Sequence, residues 1–149
     1  MSEKKNETVV VIGLGYVGLP LLLRAAEQGY RAIGFDTNKE KIAILKEKKS
    51  PIEDAFLEEN IGRFPFEVTD DPKDIQEADI VLICVPTPVD DSYYPDLEPV
   101  IQASERIAEN LKKGALVVLE STVNPGVSEE IVKPIFEKHG HIEGKDVYL

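Results

Sequence analysis

The residues best placed to do chemistry are three glycines, Gly13, Gly15 and Gly18, followed about 20 residues later by an acid, Asp36. A run of β-branched residues (Thr8, Val9, Val10, Val11, Ile12) enters the glycines and an apolar, helix-like segment leaves them. In that context the spacing is a dinucleotide-binding fingerprint rather than a chance cluster of glycines. Gly13 permits the tight turn off the strand. Gly15 lets the backbone approach a pyrophosphate, and Gly18 lets the helix pack against the strand. The N-terminus of the following helix then offers N–H groups and a positive dipole end to the phosphates. Asp36 can accept hydrogen bonds from ribose hydroxyls, and its charge opposes a 2′-phosphate. Thr37 and Asn38 follow it, with no arginine there to welcome NADP. The expected cofactor is NAD.

Alternating strands and helices must position these residues. Apolar and turn patterns predict a first strand over about 8–13 and a helix over about 19–28 closed by Gly29. A second strand follows over about 31–36, then a helix from an Asn38 cap to Lys48. Residues 49–65 read as a surface excursion with one or two helical turns. A short strand near 66–69 and a small helix at about 72–77 lead into the apolar run 78–85, expected as a central parallel strand buried on both faces. After an acidic, proline-rich loop (86–95), a helix is predicted from Leu97 to Lys113. Asp96 would cap it, Val100, Ile101, Ser104, Ile107, Ala108 and Leu111 would form its buried stripe, and Gly114 would end it. Residues 115–119 read as another buried strand, 126–138 as a helix distorted near Pro134, and 146–149 as the start of a further strand. This order predicts an α/β fold, a Rossmann-type doubly wound parallel sheet in a single domain over 1–149, with 1–7 as a flexible tail. Ending in an apolar strand, the chain reads as part of something longer.

With 149 residues, 42% hydrophobic and 30% charged, the chain reads as one globular domain. Its net charge of −11 argues against nucleic acid or an anionic membrane as partner. A polar N-terminus without a following apolar stretch, a lone cysteine and no apolar run of spanning length point to the cytoplasm. Cys84 falls inside a buried strand and reads as a small core residue, not a nucleophile. His139 and His141 flank Gly140 without cysteines or carboxylates at ligand spacing. They are expected to be solvent-exposed, and no metal site is predicted.

Two further motifs sit where ligands bind in such sheets, outside the carboxyl ends of strands: 85–88 (Val-Pro-Thr-Pro) and 120–126 (Glu-Ser-Thr-Val-Asn-Pro-Gly). Thr87 and Thr122 bring hydroxyls there, although turn formation and helix capping also explain isolated threonines. Together with the glycine turn through Pro20, these motifs resemble the N-terminal NAD-binding domain of the UDP-glucose/GDP-mannose dehydrogenase family. The pattern is most similar to the branch acting on UDP-N-acetyl-mannosamine or UDP-N-acetyl-glucosamine, which contributes to polysaccharide biosynthesis. The resemblance implies that Tyr16 and Val17 contact NAD at the turn. Asp36, with Lys41 beside it, would hold the adenosine ribose. Thr87 and Thr122 would line the cofactor site, Thr122 nearest the reacting centre as a positioning residue. It also implies oxidation of the C6 hydroxymethyl of a UDP-sugar to a carboxylate with two NAD and no metal, through a catalytic cysteine beyond residue 149. The helical dimerisation and UDP-sugar-binding domains would likewise lie outside this chain, which alone should bind NAD without turnover. Two other readings share the fold: a 6-phosphogluconate or β-hydroxyacid dehydrogenase fragment, and a non-catalytic nucleotide-sensing module.

Overall fold

A computed structural model describes residues 4–149. Six strands form one parallel sheet in the order β3-β2-β1-β4-β5-β6. They are β1 (Thr8–Ile12), β2 (Arg31–Phe35), β3 (Glu67–Thr69), β4 (Ile80–Ile83), β5 (Ala115–Leu119) and β6 (Val147–Tyr148). The strand order reverses between β1 and β4, the switch point at which doubly wound sheets open a crevice. Every residue of β1 is buried, as its unbroken β-branched run requires of a central strand.

Side-chain alternation along β1 divides the core. Val9 and Val11 face a layer made with α1 (Gly18–Glu27), α2 (Lys39–Lys46) and α3 (Ala55–Asn60). Val10 and Ile12 face the other layer, built from the 3-10 turn Pro72–Glu77, α4 (Glu98–Asn110) and α5 (Lys133–Lys138). Helix α1 begins at the third glycine and ends at Glu27; it is closed by Gly29, whose φ of 89° allows Tyr30 N–H to reach the Ala25 carbonyl. At the N-terminus, Lys5 N–H bonds the Gly29 carbonyl at 2.9 Å. Residues 1–3 of the expected tail lie outside the described residues.

Several boundaries differ from expectation for local reasons. Helix α2 stops at Lys46 because Lys48 takes a left-handed conformation, φ 57°, although Asn38 caps the start as predicted. Helix α4 ends at Asn110, short of Lys113, since Leu111 is already extended (ψ 135°) to lead into β5. Asp96 accepts Glu98 N–H at 2.9 Å, one position before the helix's own cap residue, Leu97. The distortion expected near Pro134 precedes it as a π-helical turn, Ser128–Val132, closed by Lys133 N–H on the Ser128 carbonyl. Pro134 has no N–H with which to continue the α-helical ladder.

The strands β4 and β5 are fully buried on one face only, contrary to expectation, although Ile80 and Leu82 of β4 are half-buried against the α1 layer on the other. Register places Ile80 beside Leu116 and Leu116 beside Tyr148 on the side facing α1. The α1–α3 layer covers β1 to β3 and fades beyond them, so Leu116 is 40% exposed and Tyr148 49%.

Candidate functional site

The turn after β1 is shaped by contacts that tolerate no side chain. Gly13 has φ +90°, and a Cβ there would lie 2.8 Å from the Cys84 carbonyl oxygen at the end of β4. At Gly18 a Cβ would lie 1.8 Å from the Gly13 carbonyl, so α1 starts hard against the turn. Gly15 differs, because nothing stands within 4 Å of where its Cβ would be. Its missing side chain leaves open space above the backbone at the N-terminus of α1, the room a pyrophosphate needs.

The side chain of Asp36, at the end of β2, is 10% exposed and ties the turn in place. One carboxylate oxygen accepts Leu14 N–H at 2.9 Å and the Lys41 ammonium at 2.7 Å; the other accepts Asn38 N–H at 2.9 Å. Burial alone would raise its pKa. Lys41 and the two backbone donors outweigh that and hold it below the ordinary carboxylate value. Asp36 is therefore a fixed anion, and the oxygen facing Asn38 has acceptor capacity to spare.

A cavity of about 360 Å³ opens at the carboxyl ends of β1, β2, β4 and β5. Eight of the nine residues expected to bind cofactor line it: Gly13, Gly15, Tyr16, Val17, Asp36, Lys41, Thr87 and Thr122. Gly18, the ninth, is buried behind the turn. Tyr16 is 79% exposed and Val17 53%, an unusual display for apolar side chains beside a core turn. On the far wall the Ser121 hydroxyl donates to the Val85 carbonyl at 2.8 Å, pinning the loop after β5 to the loop after β4. Thr87 and Thr122 lie on those two loops. Cys84 also lines the cavity, yet burial and the nearby Glu120 charge push its thiol up to about 12, so no thiolate forms near neutrality.

An adjoining cavity of about 270 Å³ shares Gly13, Asp36 and Lys41 with the first and runs under α4 to Phe35, Thr37, Pro99, Gln102, Ala103 and Arg106. The α4 residues were missed in the sequence, where they read as ordinary positions on an amphipathic helix. Only the packing of α4 over the switch point reveals them. A larger hollow of about 640 Å³ lies beside Tyr30, Phe64 and Phe66, at the amino end of β2. Among its charged groups, Arg31 pairs with Glu67, and none of the residues expected to bind cofactor lines it.

The histidines depart from expectation. His141 is buried, with Nε2 on the Ala108 carbonyl at 2.8 Å and its ring edge-on to Phe136. His139 is half-buried and pairs with Glu105, and Glu109 completes a group whose ligand atoms lie within 4.8 Å. The two carboxylates come from α4, so spacing along the chain could not show them. Lys138 already neutralises Glu105 at 3.1 Å, and the group lies outside the two cavities at the switch point.

Residues 7–149 match the UDP-glucose/GDP-mannose dehydrogenase family, NAD binding domain. Protein CapL of Staphylococcus aureus is 37% identical over 145 residues, covering 97% of this chain and 34% of that protein. A UDP-N-acetyl-D-glucosamine 6-dehydrogenase of Pseudomonas aeruginosa is 40% identical over 136 residues, covering 90% of this chain and 32% of the relative. Among solved structures, the UDP-D-ManNAc dehydrogenase from Pyrococcus horikoshii superposes with a TM-score of 0.88 at 32% identity, over 95% of this chain and 34% of that one. The chain thus spans about a third of the length of the relatives it matches.

Proposed function

Since this chain belongs to the UDP-glucose/GDP-mannose dehydrogenase family as its NAD-binding domain, we propose that it is the cofactor half of a nucleotide-sugar 6-dehydrogenase acting on a UDP-N-acetylhexosamine. The observation that carries the reading is one continuous cavity joining the glycine turn, the anionic Asp36 and the loops bearing Thr87 and Thr122. The residues fit the group: open space stands over Gly15, and Asp36, a carboxylate held charged, lines the same cavity with acceptor capacity for ribose hydroxyls. NAD, when bound, supplies the hydride acceptor. Asp36 and Lys41 hold the adenosine ribose, and Tyr16 and Val17 flank the pyrophosphate turn. Thr87 and Thr122 orient the nicotinamide half, with Thr122 positioning the reacting centre by its hydroxyl.

The full reaction takes the C6 hydroxymethyl to a carboxylate with two NAD and no metal. Its nucleophile is not Cys84, whose buried thiol stays protonated. On this reading the catalytic cysteine, the sugar-binding residues and the dimerising helices lie outside these 149 residues, which span about a third of the relatives they match. Among the described residues no helix is long and apolar enough to cross a membrane. The unpaired cysteine favours the reducing environment of the cytoplasm.

Calorimetric titration of NAD tests the assignment. The parent chain should bind, and Asp36→Ala should bind more weakly by roughly ten- to a hundredfold, the loss of a hydrogen bond to a charged group. Asp36→Asn, which keeps the shape, should fall between them. Equal binding by all three would remove Asp36 from the site. The same 149 residues should produce no NADH from NAD and UDP-N-acetyl-mannosamine, and steady production would place the nucleophile within them.

A further inference from the structure

Four arginines occur in the chain, and three are committed to carboxylates: Arg24 to Glu27, Arg31 to Glu67 and Arg63 to Glu59. The fourth, Arg106, has no ion-pair or side-chain hydrogen-bond partner among the described residues, in a protein of net charge −11. It is half-buried on α4, with its guanidinium carbon 5.5 Å from the centre of the Phe35 ring. It lines the second cavity, which adjoins the first at Gly13, Asp36 and Lys41 and runs under α4. Asp36, the acid in that cavity, is already taken by Lys41.

We propose that Arg106 is a positioning residue for the adenine base of the dinucleotide, its guanidinium plane serving as the platform on which the base stacks. The inference rests on the NAD reading above and deepens it. With the ribose at Asp36 and the pyrophosphate at Gly15, the base has to occupy the space beyond Asp36, which is this cavity. Half of its lining is apolar, with Ile12, Phe35, Val85, Pro86, Pro99 and Ala103. Those walls suit a flat aromatic ring. A planar, weakly hydrated guanidinium stacks on π faces, whereas a lysine ammonium in its place would keep the charge and lose the plane. The Phe35 ring already lies within cation–π reach of the guanidinium, at 5.5 Å. The role was invisible in the sequence because Arg106 lies some seventy positions from the acid it serves.

Titration of AMP, nicotinamide mononucleotide, NAD and NADP into the parent chain, Arg106→Ala and Arg106→Lys tests this, with thermal melting to verify folding. Arg106→Ala should weaken AMP and NAD by the same factor, roughly two- to thirtyfold, and leave nicotinamide mononucleotide unchanged. Arg106→Lys should recover only a minor part of the loss. Three results would overturn the proposal: unchanged AMP affinity in Arg106→Ala, full recovery in Arg106→Lys, or a loss confined to NADP, which would make Arg106 a phosphate ligand. Failure of the parent chain to bind either AMP or NAD would overturn the NAD reading and this inference with it. Normal binding by the parent alongside an unaffected Arg106→Ala would sink this inference alone.

Discussion

Asp36 does two jobs with one carboxylate: it fixes the glycine turn through Leu14 N–H and presents an anion to the cavity. Its charge should show in the pH dependence of stability. The folded-state pKa lies below the unfolded one, so the contribution is complete above the ordinary carboxylate value and is lost as pH falls through the lower, folded value. Thermal melts of the parent and Asp36→Asn should therefore converge as the pH drops below the carboxylate range and stay apart near neutrality. A gap of constant size would mean that the charge of Asp36 plays no part in the fold. Cys84 makes the opposite case. With its thiol pushed up to about 12, it should resist a thiol-specific reagent at neutral pH in the native protein and react quickly once the chain is denatured. Rapid native reaction would contradict the core role. The core place of Cys84 and the position of Asp36 at a strand end were legible in the sequence from the flanking strand patterns; the bond from Leu14 N–H to Asp36 was not. Arg106 and the carboxylates around His139 were not, since long-range packing alone brings them to their neighbours.

At the scale of elements, the sequence announces what local chemistry controls. Gly29 and Asn38 end and begin helices as their residue types dictate. Where tertiary demands compete, the sequence misleads: α4 gives up its last turn because the chain must be extended at Leu111 to enter β5. His141 is drawn inside by the Ala108 carbonyl and the Phe136 ring, which no periodicity predicts. At the junction of β1 with α1, Gly18 leaves less room for a Cβ than any other glycine described, and Gly18→Ala tests it. With a Cβ 1.8 Å from the Gly13 carbonyl, the helix must move away from the turn. The expected cost is about 1–3 kcal/mol of stability, read by chemical denaturation, together with weaker NAD binding. Gly15→Ala, which meets open space, should leave stability nearly unchanged and impair binding alone. If both variants lost stability equally, the two glycines would not have the separate roles assigned to them.

For the molecule as a whole, the switch point between β1 and β4 gathers motifs from the start, middle and end of the chain into one crevice. The overall acidity, −11, does not govern that crevice, where Lys41 pairs with Asp36 and the charge of Arg106 stands against that of a further acid, Glu120. The central claim is that this crevice selects NAD. Competitive equilibrium binding of NAD and NADP to the 149-residue chain tests it most directly. If Asp36 receives the adenosine ribose as proposed, its charge opposes a 2′-phosphate, and NAD should bind well ahead of NADP. Equal affinity for the two, or a preference for NADP, would contradict the account.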